Sequence, residues 1–320
     1  MITNRLPYSK ISRNVKMNFS KLLLAIGTTS LVLISSACMN STRNSNVAPR
    51  QGILSFDSGP LLKKGEVRIH YYVPAGMTSE MQIQFVMHGA GRNADDYLEG
   101  WKASADEYRL VIVAPELTKE SFTSEEYIGG RFLTPEGSIA DPGSTTFSLI
   151  DRIFEFVRVE LELQNSTYNI YGHSAGGQFT HRFMQFYDSP YVGKAVAANA
   201  GWYTFPDDST AYPYGIEGLF DDNDSLRKTY YKDDLTILLG TADTIRDKDL
   251  RQTQEADLQG LTRLARGERF FDYNMAKAED AGFTFIWQKS YVTGSGHDHT
   301  LMSPAAAAVL YGKKDNSGEL

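Results

Sequence analysis

From about residue 52 the chain alternates between two hydrophobic periods. GEVRIHYYVPAG (65–76) places apolar residues at every second position, the pattern of an outer strand with one solvated face. MQIQFVMHGAG (81–91) reads as a strand that runs into glycines. NADDYLEGWKASADEY (93–108) has helical spacing, with Asn93 as a candidate N-cap and acids in the first turn. LVIVAPEL (110–117) is a short apolar run, as in strands covered on both faces. The same alternation predicts helices at 147–163 and 176–187 and over much of 251–280. It predicts strands at 167–172, 193–201, 235–243 and 283–292. LMSPAAAAVLYG (301–312) closes the chain as a helix interrupted near its start by Pro304. Residues 118–144 and 202–218 break the rhythm. The first of these is too long for a simple connection and marks an active-site loop.

Strict alternation of strand and helix implies an α/β fold, a mostly parallel sheet with helices on both faces. Ligands in such sheets bind at the carboxyl ends of the strands. Four glycine-rich or polar clusters each follow a predicted strand: His88–Gly91, Gly172–Gly177, Gly240–Asp243 and Gly294–His299. They are expected to converge on one edge.

One of these clusters carries chemistry. Gly172-His173-Ser174-Ala175-Gly176 fits G-x-S-x-G, a strand-to-helix turn too tight for side chains at the flanking positions. Such a turn exposes the serine hydroxyl and aims the N-terminus of the next helix at it. A serine hydroxyl needs a base to accept its proton and a carboxylate to orient that base. Of six histidines, His297 and His299 follow the last strand. His297, reached through Ser295 and Gly296, is the favoured base; His299 either caps the final helix or lines the cleft. Asp243 ends a buried strand and is the favoured acid, with Asp247 and Asp249 as alternatives further into the loop. The oxyanion donors should be the backbone N–H of Ala175 and that of Ala90 or Gly89, with His88 pinning the loop. His173, Trp202, Tyr203 and His299 are candidate substrate-lining residues. The glycines lack nucleotide-binding spacing, and no ligand cluster points to a metal. No cofactor is implied.

Composition adds a compartment. Among 320 residues there is one cysteine, Cys38. It ends a segment that opens with basic residues and no acids, then continues LLLAIGTTSLVLISSAC. That order describes a secretory signal, and an apolar run of roughly 13–16 residues is short for a membrane span. A terminal cysteine resembles the lipidation site of bacterial lipoproteins, with Ser35 where leucine is usual and Met17 as an alternative start. The expected organisation is a signal peptide at 1–38, a flexible tether at 39–51 and a catalytic domain at 52–320. The expected location is extracytoplasmic, lipid-anchored in a bacterial envelope. Without its signal the chain keeps 27 basic residues against 39 acidic ones, a net charge of −12, which repels nucleic acid.

HGAG, GHSAGG, GTAD and GSGHDH together resemble the α/β-hydrolase superfamily over residues 52–312. They are most similar to secreted esterases grouped with polyhydroxybutyrate depolymerases and feruloyl esterases. The resemblance implies cofactor-free cleavage of carboxylic esters through an acyl-enzyme, with Ser174 as nucleophile, Asp243 as acid and His297 as base. A serine peptidase on the same fold and a catalytically silent binding lipoprotein are the alternatives.

Overall fold

The computed structural model describes residues 11–12 and 48–312. The expected signal peptide with Cys38, and residues 39–47 of the expected tether, lie outside the described residues. Along the chain run β1 (Arg50–Asp57), α1 (Gly59–Leu62), β2 (Glu66–Val73), β3 (Gln82–Met87), α2 (Ala94–Glu99) and α3 (Lys102–Tyr108). Next come β4 (Leu110–Glu116), α4 (Ser124–Ile128), α5 (Thr146–Glu160), β5 (Tyr168–His173), α6 (Ala175–Phe186) and β6 (Val192–Ala198). The last are α7 (Asn223–Tyr230), β7 (Asp234–Gly240), α8 (Gln254–Gln259), α9 (Arg263–Asp280), β8 (Gln288–Val292) and α10 (His299–Tyr311). Ile11–Ser12 pairs in parallel with Tyr187–Asp188 outside this frame.

The eight strands form one sheet in the order β8-β7-β6-β5-β3-β4-β2-β1. β2 runs antiparallel to both β1 and β4, and every other pair is parallel. The expected α/β-hydrolase architecture is therefore present. Alternate strand residues feed two cores. Ile83, Phe85, Val111, Val113, Ile170, Ile237 and Leu239 pack with α5, α6 and α9 residues such as Phe154, Phe179 and Phe270. Val86, Ile112, Tyr171, Val196 and Leu238 pack on the other face with Leu98 and Trp101 near α2 and α3, and with Leu310 of α10. Burial on both faces explains the unbroken apolar runs of the central strands. Each fully buried Ile or Phe contributes about 2 kcal/mol.

Several expectations shift. The alternating strand at 66–73 is not outermost. β1 covers it, beginning at Arg50, inside the segment expected to be tether. Residues 93–108 form two helices, not one, separated at Gly100 and the fully buried Trp101. Asn93 does not cap α2 through its side chain, because its amide donates to Asp96 instead. The long loop holds α4, started by a reciprocal cap in which Thr123 Oγ1 accepts from Glu126 N–H and the Glu126 carboxylate accepts from Thr123 N–H. Helical segment 251–280 divides at Gly260, whose φ of 146° no side-chain-bearing residue adopts readily. Residues 283–287 are not strand, and their aromatics pack against Tyr230, Tyr231 and Phe271. α10 starts before Pro304 and runs through it. The carbonyl that Pro304 leaves free belongs to Thr300, which is exposed, so water can satisfy it.

Among the described residues no helix is long and apolar enough to cross a membrane.

Candidate active site

The turn from β5 into α6 is built by close backbone approach. A Cβ at Gly172 would lie 2.1 Å from the Gly176 carbonyl oxygen. One at Gly176 would lie 2.1 Å from that of Met87, and one at Gly177 would lie 2.5 Å from that of Ala198. With those positions bare, Ser174 is held at φ 58°, ψ −114°, a region a non-glycine residue occupies at a cost of about 1–3 kcal/mol. Its N–H donates to Ala198 O and its carbonyl accepts from Gln178 N–H. The hydroxyl takes no part in these backbone bonds and pairs instead with His297.

The structure brings Ser174, His297 and Asp243 into a bonded line. Ser174 Oγ lies 2.9 Å from His297 Nε2, and His297 Nδ1 lies 2.8 Å from Asp243 Oδ2. The carboxylate is 1% exposed, so it accepts Nδ1–H and leaves Nε2 to receive the serine proton. Asp247 is not the carboxylate bonded to His297. It takes two bonds of 3.0 Å from Arg263, which holds its carboxyl below the usual range. Asp249 is exposed and lines the neighbouring cavity.

Two residues that sequence reasoning missed hold this line together. Arg263, nearly fully buried, places Nη1 3.6 Å from Asp243 Oδ1 while chelated by Asp247. Asn199 sits at φ 43° after β6; its Oδ1 accepts from Gly240 N–H and its Nδ2 donates to Gly296 O. One side chain thus stitches the Asp243 loop to the His297 loop. A Cβ at Gly240 would lie 2.5 Å from Ser295 O, which is why the loops can meet so closely. Nothing in the periodicity marks either residue, since each acts through segments distant in sequence.

The His88–Gly91 segment crosses beside the serine. A Cβ on Gly89 would be 3.8 Å from Ser174 Cβ and 2.6 Å from the Tyr97 hydroxyl. His88 is a buried pin: Nδ1 donates to Gly89 O and Nε2 accepts from Leu117 N–H. The Tyr127 hydroxyl donates to His88 O. Arg92 lies over the Tyr127 ring and donates to Leu117 O and Phe122 O. Ala90 and Ala175 then share a cavity of about 290 Å³ with Tyr127, Gln178, Trp202 and Arg251.

Of the expected lining residues, the structure places Trp202 in this cavity and the other three elsewhere. Tyr203 is fully buried and stacks on Phe270. His173 is buried beneath the base, ring centroids 4.7 Å apart, with Nδ1 3.0 Å from the Tyr97 hydroxyl. His299 begins α10 and stacks on Tyr97 at 4.1 Å, while Asp298 supplies the cap. Among the described residues no cluster of His, Cys, Asp or Glu is placed to hold a metal ion.

Buried neutral histidines have a consequence for stability. Burial pushes His88 down to about 3 and pushes His173 and His181 well below the ordinary histidine range. Unfolded, each takes a proton near pH 6.5. The unfolded chain therefore binds more protons below that pH, and stability falls on acidification by about 1.4 kcal/mol per unit per ring. Asp151 opposes this. Burial raises its carboxyl to about 6 despite bonds from Tyr168, Tyr187 and Ser189, so it gains relative stability as pH falls from about 6 toward 4. It offsets at most one of the three rings. The melting temperature is expected to drop steadily from pH 6.5 to pH 5; a flat profile in a thermal-shift series over that window would show that these rings titrate freely in the fold.

Neither a scan against protein-family models nor a search of curated proteins finds a match. Solved structures do match. Poly(aspartic acid) hydrolase-1 from Sphingomonas sp. KT-1 is 38% identical with a TM-score of 0.76, over 83% of this chain and 99% of that one. LpqC, a poly(3-hydroxybutyrate) depolymerase from Bordetella parapertussis, is 30% identical with a TM-score of 0.78, over 84% and 92%. An S-formylglutathione hydrolase from Agrobacterium tumefaciens, 17% identical with a TM-score of 0.53 over 84% and 96%, shares the fold. With a serine-bearing elbow at the carboxyl edge of its sheet and these two relatives aligned over nearly their whole lengths, the chain belongs to the serine hydrolases of the α/β-hydrolase fold.

Proposed function

We propose that the protein cleaves carboxylic esters through an acyl-enzyme on Ser174. The observation that carries this reading is the unbroken line from the Ser174 hydroxyl through His297 to a buried Asp243. As Ser174 Oγ bonds to the substrate carbonyl carbon, its proton passes to His297 Nε2. Asp243 holds the ring in the tautomer that can accept it and stabilises the resulting imidazolium. The carbonyl oxygen becomes an oxyanion facing the backbone N–H groups of Ala175 and Ala90. Ala90 is preferred to Gly89 because it lines the cavity. Collapse of the adduct breaks the ester C–O bond, and His297 gives its proton to the departing alkoxide. Water, deprotonated by the same ring, then releases the acid and restores Ser174. Preorganised donors of this kind supply about 3–4 kcal/mol of the barrier reduction.

An amide reading has one specific observation in its favour. The relative with 38% identity is named for poly(aspartic acid), a polyamide, and the one with 30% for poly(3-hydroxybutyrate), a polyester. The same triad can serve either bond. Offering p-nitrophenyl butyrate, oligomers of 3-hydroxybutyrate and oligo-aspartate to the wild-type protein separates them. Turnover of the two esters is expected; cleavage of oligo-aspartate with both esters untouched would replace the ester reading by the amide one.

A further inference from the structure

The cavity beside Ser174 is lined by more cations than anions, although the chain as a whole carries a net charge of −7. Arg92, Lys248 and Arg251 line it against a single carboxylate, Asp249. Other basic residues nearby are neutralised: Arg246 pairs with Asp257, and Arg263 at the start of α9 pairs with Asp247. Among the described residues Lys248 and Arg251 form no ion pair. Arg92 is committed to holding backbone carbonyls, so its donors are largely used while its charge remains.

Arg251 is not a loose surface side chain. Its guanidinium lies over Trp202 at 4.6 Å and over Tyr214 at 5.8 Å. The Trp202 ring also carries the buried Arg182 guanidinium at 4.1 Å. Two like charges therefore share one indole. Arg182 spends donors on Thr204, Ile128 and Gln178, but its Nη2 has no partner. Stacking holds a guanidinium in place at its ring face and leaves its edge N–H groups open for a planar acceptor. Arg251 feels Glu255 nearby, but three lining cations against one lining carboxylate still leave the cavity favourable to an anion.

The cavity also has a side. A leaving group must depart within reach of His297 Nε2, which supplies its proton. His297 does not line this cavity, whereas the two proposed oxyanion donors, Ala90 and Ala175, do. What fills it therefore stays attached to the carbonyl, on the acyl portion of the substrate.

We propose that Arg251, with Lys248, forms a subsite for a carboxylate carried on the acyl portion of the substrate, a few bonds from the scissile carbonyl. This deepens the hydrolase reading and rests on it. The subsite selects acidic acyl chains over neutral ones of the same length. Because Lys248 and Arg251 are solvent-exposed, the selection is screened by salt.

The test compares mono-p-nitrophenyl glutarate with p-nitrophenyl valerate, an acidic and a neutral acyl chain of equal length. Ser174→Ala, assayed in parallel, removes the non-enzymatic background. Wild type is expected to favour the glutarate ester by about tenfold in kcat/KM, mostly through KM, as for one charge-assisted contact. Arg251→Gln should erase most of that ratio, Arg251→Lys should restore part of it, and 0.5 M NaCl (about a 4 Å screening length) should erode it in wild type. Valerate turned over as well as glutarate, or a ratio unchanged in Arg251→Gln, overturns the subsite and leaves the hydrolase intact. A wild type that turns over neither ester overturns the ester reading, and this subsite with it.

Discussion

Ser174→Ala is expected to lower kcat/KM for p-nitrophenyl butyrate by on the order of 10⁵–10⁶, the size seen when the nucleophile of a serine triad is removed. The geometry explains why the loss is so large. His297 Nε2 has the Ser174 hydroxyl as its partner at 2.9 Å, and Asp243 is sealed behind the ring. Without the hydroxyl, the base has no oxygen to activate at the distance where a carbonyl carbon can be reached. Some acceleration should survive, because the backbone donors at Ala175 and Ala90 are untouched. The fold should survive too. Alanine meets the same backbone penalty as serine at φ 58°, and the Ser174 backbone bonds to Ala198 and Gln178 remain. An intact thermal transition with tenfold or smaller loss of activity would remove Ser174 from the mechanism.

Gly176→Ala should be among the most damaging single-methyl changes in the molecule. Two effects compete. Gly176 lies in α6, where alanine is intrinsically better than glycine by about 1 kcal/mol. Against that, the new Cβ would sit 2.1 Å from Met87 O, 2.7 Å from Met87 C and 2.9 Å from His88 O. Those atoms are backbone at the end of a central strand, so they cannot rotate away as a side-chain tip would. Overpacking of this kind costs about 3 kcal/mol or more, and the steric term wins. The strand that must yield leads directly into the His88–Gly91 loop, so activity should fall with stability. Denaturant unfolding monitored by circular dichroism reads the first effect and ester turnover the second. A midpoint equal to or above wild type would mean the elbow is not closed by this contact.

The sheet and the turn at Ser174 were legible for the same reason: both are written in local sequence. Buried parallel strands need unbroken apolar runs, as in Leu110–Glu116, and the elbow needs glycines at fixed offsets around Ser174. The residues that complete the site were not legible, because their roles arise only when distant segments meet. Asn199 bridges Gly240 and Gly296, and Arg263 reaches Asp243 from the first turn of α9. Adjacent aromatics show the same limit. Trp202 and Tyr203 look alike in sequence, yet one lines the cavity and the other is stacked in the core on Phe270. His299 follows the same strand as the favoured His297, and the structure commits its ring to stacking on Tyr97. At the amino end, β1 was missed because it begins in the polar residues Arg50 and Gln51 and carries Ile53 on its exposed face.

The proposed mechanism requires Ser174 to be a nucleophile that its neighbours activate. The most direct measurement is reaction of the wild-type protein with a fluorophosphonate probe, followed by intact-mass and peptide mapping. A single adduct is predicted, on the peptide containing Ser174, absent from Ser174→Ala and suppressed by competing ester. No adduct under conditions that label a known serine hydrolase, or an adduct on another residue that persists in Ser174→Ala, would contradict it.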